Sequence, residues 1–185
     1  MASAEAGSAI RPPLYTPAER ARRDATSWTL VQGLLAPFQF FVFLISLALV
    51  LRFLWTGEGL LVATLSVVAK TLVLYVIMVT GAIWEKVVFG RYLFAPAFFW
   101  EDVFSMLVLT LHTAYLAAVF MEWGGYGWLS HDGQMWLALA AYAAYVINAA
   151  QFLLKLRAAR LDAAAARTVA NPNLGARQIA EGVAS

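Results

Sequence analysis

The sequence predicts an all-α membrane protein, a bundle of four spanning helices with both termini in the cytoplasm, and three observations lead there. The 185 residues are 62% hydrophobic and only 13% charged, whereas a soluble domain carries roughly a quarter of its residues as charges. Its mean hydropathy is +0.72, and the apolar excess is concentrated in four runs, each near the roughly 20 residues that a spanning helix needs. Third, lysine and arginine sit in alternate loops. They occupy the N-terminal segment (Arg11, Arg20, Arg22, Arg23), the central connector (Lys86, Arg91) and the end of the last span with its tail (Lys155, Arg157, Arg160, Arg167, Arg177), and the two remaining turns carry none. Positive loops stay cytoplasmic, so the pattern fixes four spans and a cytoplasmic N- and C-terminus.

Three regions follow in order. Residues 1–29 form a polar, basic segment without the apolar centre of a signal peptide, so no cleavage is expected. Its first ten residues are small and polar, a composition that favours disorder. Thr16, Pro17 and Glu19 then have the spacing of a capping box with proline at the first helical position, which predicts a short surface helix, either separate or continuing into the first span. Residues 30–156 form the transmembrane region, with spans over about 30–55, 60–84, 100–121 and 134–156. Pro37 falls inside the first, where it removes a helical hydrogen bond. Thr56-Gly57-Glu58-Gly59 and the glycine-rich stretch 123–133 read as turns. The connector 85–99 contains Gly90 and Pro96 and is not expected to be one unbroken helix. Seven alanines between 138 and 150 let the fourth span approach its neighbours, or a second subunit, closely. Residues 157–185 read as an alanine-rich cytoplasmic tail of partial helicity.

Composition excludes several kinds of chemistry. With no cysteine there is no disulfide, iron–sulfur cluster or thiolate-bound zinc. With only His112 and His131, a multi-histidine metal centre cannot be assembled, and no metal site is expected. The glycine pairs lack the spacing of a phosphate loop, and the basic tails are too sparse for nucleic acid. The chain is short and has no internal repeat, which disfavours a transporter.

Polar residues crowd instead into 83–106, IWEKVVFGRYLFAPAFFWEDVFSM. Glu101, Asp102 and Glu85 are the acid–base candidates. A carboxyl group at an apolar boundary beside other carboxylates retains its proton more readily, as a general acid must; the alternative is ordinary capping at a helix N-terminus. Glu101, Ser105, Val108, His112 and Tyr115 share one helical face, so a polar stripe should run from the boundary to mid-membrane. His112 on that stripe either serves the chemistry or is a structural histidine. Lys70, at similar depth, either meets a substrate carboxylate or pairs within the bundle. Lys86 and Arg91 can anchor the loop or hold an anion, and Trp84, Tyr92 and Trp100 can form an interfacial belt or a stacking surface. Together they suit a planar anionic ligand. The residues alone thus point to acid–base chemistry on a lipid-soluble molecule, with a non-enzymatic pigment carrier or assembly factor as the alternative.

Two strings carry a resemblance: LYTPAERARRDATSWTLVQGLLAP (14–37) and TGAIWEKVVFGRYLFAPAFFWEDVFSMLVLTLHTAYLA (80–117). They resemble the 3-vinyl bacteriochlorophyllide hydratase family of phototrophic bacteria, over about residues 14–156. The resemblance implies a lyase of bacteriochlorophyll synthesis that adds water across a vinyl group of a chlorophyllide-type tetrapyrrole to give a 1-hydroxyethyl group. It implies that magnesium arrives within the substrate and that no separate cofactor is needed. A multi-pass location in the bacterial inner or intracytoplasmic membrane follows, with lipid, the pigment and other pigment-biosynthesis enzymes as partners, alongside a homo-oligomer. On that reading Glu101 is the first choice of acid, with Asp102 or Glu85 next. A second carboxylate or His112 handles the water, or His112 contacts the magnesium. Lys86 or Arg91 holds the propionate, and Trp84, Tyr92 and Trp100 stack on the ring.

Overall fold

A computed structural model describes residues 14–170. The chain there is all helical: α1 (Pro17–Ala25), α2 (Ser27–Thr56), α3 (Leu60–Phe89), α4 (Phe99–Trp123) and α5 (His131–Ala170). Four of these are long and apolar enough to cross a membrane: α2, α3, α4 and the part of α5 from His131 to Leu161. The expected tail segment at 171–185 and the first 13 residues lie outside the described residues.

The capping box forms as its spacing predicts. Glu19 N donates to Thr16 Oγ1 at 3.3 Å and Thr16 N to Glu19 Oε2 at 2.8 Å. The surface helix does not run on into the span. Thr26 takes an extended conformation, closes α1 by donating its N–H to Arg22 O, and caps α2 by accepting from Trp28 N at 3.3 Å. Arg22 Nε donates to Val88 O at 2.8 Å, which fastens α1 against the end of α3. The third helix is longer than expected. It carries Glu85 and Lys86 within it and stops at Gly90, whose left-handed φ of 81° supplies the C-cap. Val88 explains the extension, since it is fully buried and gives the last turn a packing partner.

The alternating helices build an apolar core of Phe43, Val50, Val67, Leu74, Val108, Met135 and Tyr142. Ala138, Ala141 and Ala144 are buried in it, as the small-residue pattern of the fourth span predicts. A smaller cluster lies at the end where α1, the α3–α4 connector and the late part of α5 meet. There Tyr15, Val88 and Phe98 pack with Trp84, Phe89 and Phe152. Tyr15 stacks on Phe89 at 5.7 Å and Phe98 on Phe152 at 5.7 Å. Burial raises the Tyr15 phenol above its ordinary pKa, although Arg23, 4.8 Å from the ring centroid, opposes the shift. This end therefore gathers the basic residues that the charge pattern assigns to one side of the membrane. Every residue of the Glu101–Ser105–Val108–His112–Tyr115 stripe is buried.

Gly90 and Gly33 make a paired test. A Cβ meets nothing within 4 Å at either position, but only Gly90 has positive φ. Gly90→Ala is expected to lower stability by about 1 kcal/mol, and Gly33→Ala, inside α2, to raise it by roughly 0.5–1 kcal/mol. Thermal unfolding of each variant in the same detergent checks the opposite signs.

Candidate active site

Glu85 comes from the last turns of α3, and Glu101 and Asp102 from the first turn of α4, where the helix dipole favours carboxylates. The loop between these helices folds back over them. Phe94 N donates to Asp102 Oδ2 at 2.7 Å and Ala95 N to Glu85 Oε2 at 3.4 Å. Consecutive amides thus meet carboxyls from two different helices. To point both N–H groups inward, Phe94 adopts φ 58°, the one non-glycine residue at positive φ among the described residues. Such a backbone persists only where its surroundings hold it.

The carboxyls are covered: Glu85, Glu101 and Asp102 are 5%, 6% and 4% exposed. The Glu85 and Asp102 side chains lie close enough to interact directly. Two carboxyl groups brought together at an apolar boundary resist double ionisation, so the pair is suited to share one proton. Glu101 is different. Lys155 Nζ, from α5, donates to its Oε2 at 2.6 Å and lies 5.1 Å from the Phe98 ring centroid. The result is a pair of neighbouring carboxyls beside an ion pair, roofed by a strained loop.

A family model described as 2-vinyl bacteriochlorophyllide hydratase matches residues 15–158. The chain belongs to that family. It is 67% identical over 154 residues to the 2-vinyl bacteriochlorophyllide hydratase of Rhodobacter capsulatus, covering 83% of this chain and 86% of that one. It is 68% identical over 154 residues to the protein of the same name from Cereibacter sphaeroides, covering 83% and 92%. The 2-vinyl of these names and the 3-vinyl of the resemblance are one substituent under two ring numberings. No solved structure matches the chain.

Within this hydratase-family chain, the residues singled out by sequence divide into three groups and one outlier, Trp84. Glu85, Glu101 and Asp102 come together. Tyr92 and Trp100 stand on the outer side of the loop and of α4, 61% and 67% exposed, with Phe94 and Phe99 between them as a partly exposed aromatic surface. Arg91 is exposed there, and Lys86 donates to Gly90 O at 3.0 Å with Tyr92 5.3 Å away. Trp84 is instead part of the smaller core, 5.8 Å from both Phe89 and Phe98, with Nε1 donating to Thr29 Oγ1.

Lys70 and His112 form a third group, deep in the bundle. His112 Nδ1 faces Val108 O at 2.8 Å and must carry its hydrogen to make that bond, which leaves Nε2 to accept from Lys70 Nζ at 2.6 Å. The Lys70 amine also lies 4.3 Å from the Tyr145 ring centroid. By helical rise His112 is about 16 Å along α4 from Glu101. Among the described residues no cluster of three or more potential ligands could hold a metal ion.

Sequence reasoning did not assign Lys155 or the loop amides to the site. Lys155 counted only as a positive-inside charge, although Asn148, Gln151 and Lys155 share a helical face. The amides of Phe94 and Ala95 leave no trace in side-chain identity.

The ion pair generates a double-variant test. Lys155→Met strands a buried carboxylate and is expected to cost about 2 kcal/mol, less than for a fully buried pair because the lysine is partly exposed. Adding Glu101→Gln should recover at least half of that loss. Thermal melts of the two single variants and the double variant measure the coupling.

Proposed function

We propose that this chain, like the relatives that carry the name, adds water across the vinyl group of a bacteriochlorophyllide, with Glu85 as the acid and Asp102 as the base. The observation that carries the assignment is the meeting of these two carboxyls beneath the Phe94 and Ala95 amides. A proton shared between them would rest on Glu85, as the backbone bonds indicate. Asp102 receives the short 2.7 Å amide bond, suited to an anion, while Glu85 receives a long one of 3.4 Å. Glu101, the first choice from sequence, is already committed to Lys155 and suits a different part, that of a fixed negative charge.

The steps balance with the residues present. Glu85 gives its proton to the terminal vinyl carbon, a C–H bond forms, and the vinyl π bond breaks. The positive charge falls on the carbon attached to the macrocycle, where conjugation spreads it. Glu101 and the newly ionised Glu85 stabilise that charge in a water-poor site. Water attacks the cationic carbon and passes a proton to Asp102, leaving a hydroxyethyl group. The hydrogen bond between Asp102 and Glu85 then returns the proton to its starting place. No further cofactor enters the balance, and the magnesium remains within the substrate ring.

A flat pigment reaches such a site from the lipid. Tyr92, Phe94, Phe99 and Trp100 offer it aromatic faces, and Arg91, with Lys86 nearby, offers a cation for the propionate. The charge pattern supports a cytoplasmic orientation for this end, in a bacterial inner membrane, the side on which a pigment intermediate would pass between enzymes.

Glu85→Gln is expected to lower turnover by 100-fold or more, the range for removal of a general acid, while pigment still co-purifies with the membranes. The test is to incubate membranes with the vinyl pigment in heavy-oxygen water and read pigment masses. Wild type should add one labelled water, and a fully active Glu85→Gln would remove Glu85 from the mechanism. A pigment that binds wild type without gaining water would replace the enzyme reading with that of a carrier.

A further inference from the structure

One turn inside the ion pair, α4 and α5 make a second polar rung: Asn148 Nδ2 donates to Ser105 Oγ at 2.8 Å. Around this rung three amide oxygens are buried with no donor among the described residues: Asn148 Oδ1, Gln151 Oε1 and Gln39 Oε1. Gln151 lies three residues from Asn148 and four from Lys155, on the face that holds Glu101. Gln39 reaches the same layer from α2. Its neighbour one turn on, Phe43, meets Tyr145 and Tyr142 at 5.0 and 5.3 Å, and α2 and α5 run antiparallel. A turn back along α2 and a turn forward along α5 therefore bring Gln39 level with Asn148. Gln39 is 2% exposed, so its oxygen has neither lipid headgroup nor bulk solvent to turn to.

We infer that this layer is a water-binding site that stores the nucleophile behind the carboxylates. Buried amide oxygens that lack donors are met by ordered water, a small molecule with two hydrogens to give. Acceptors brought to one layer from α2 and α5, with the Ser105 hydroxyl at its edge, match its needs. The position also suits the chemistry. Pigment comes to the carboxylates from the exposed aromatic side, and a water held one turn inside α4 comes from the opposite side. Bulk solvent is kept off the cation, and the oxygen arrives on one face of the reacting carbon. Gln39, Asn148 and Gln151 are then positioning residues that act through the water. The role as nucleophile store rests on the hydratase reading; the site itself does not.

The experiment has two arms. A cryo-electron microscopy structure of the whole protein in nanodiscs, at a resolution that shows water, should place density within hydrogen-bond reach of Gln39 Oε1 and Asn148 Oδ1. Asn148→Leu and Gln39→Leu should each lower kcat by about tenfold or more with KM for the pigment unchanged. The hydroxyethyl product should lose its single configuration, and Gln39→Asn, which keeps an acceptor, should restore most of the rate. An empty layer in the wild-type map overturns the site whatever the kinetics show. Density accompanied by wild-type kcat and product configuration in both leucine variants overturns its role in supplying water. Density in a wild-type protein that hydrates nothing would remove the hydratase reading and leave the site standing.

Discussion

Two carboxyl groups from different helices, capped by consecutive backbone amides, set the shape of the end that carries the candidate site. The Phe94 and Ala95 amides, turned inward beneath a largely exposed loop, would otherwise be orphan donors, and each unmet buried donor costs about 1–3 kcal/mol. The carboxyls would be costly anions at an apolar boundary. Each solves the other's problem. Once the loop is held over the helix ends, Phe98 falls into the aromatic cluster, 2% exposed, and Tyr15 and Phe152 close around it. The positive φ of Phe94 is the strain that remains.

Deeper in the bundle the same constraint operates with different residues. Lipid offers no hydrogen bonds, so each interior polar group must find a partner within the protein. Ser46 bridges Ser66 and Tyr142 at 2.7 and 2.6 Å, and Lys70 meets His112. At the far end Glu122 receives both His131 and Gln134, beside a cavity of about 160 Å³ lined in part by Thr64 and Trp123. Polar residues therefore line the bundle axis from one end to the other. Among the described residues, the buried polar atoms left without a partner are the Tyr115 hydroxyl and the three amide oxygens of Gln39, Asn148 and Gln151.

Much of this was legible in the sequence, and the reasons are specific. Four apolar runs announce four spans because hydropathy integrates over many residues. The Thr16–Glu19 capping box is a local rule with local geometry. The stripe from Glu101 to Tyr115 follows from helical periodicity once α4 is placed. What the sequence hid was pairing between helices. Nothing in residue order says that Lys155 takes Glu101, 54 positions away, or that Trp84 turns into the aromatic cluster rather than toward a ligand. Lys70 and His112 read as candidates for the site because both are ionisable and deep. Their mutual bond, and their distance from the carboxylates, are tertiary facts. The longer α3 was missed because Gly90, and not the first charged residue, ends it.

A proton shared by Glu85 and Asp102, as proposed above, would have a consequence for the charge of the site. The pair would count as one negative charge, and Glu101 and Lys155 would cancel. In the proposed steps the pair becomes doubly negative beside a single positive charge on carbon when the proton moves to the pigment, so the total would be unchanged. Its return through Asp102 would again leave the total unchanged. On that mechanism no counter-ion would have to cross the apolar boundary at any stage, and the net charge of the site would stay constant through turnover.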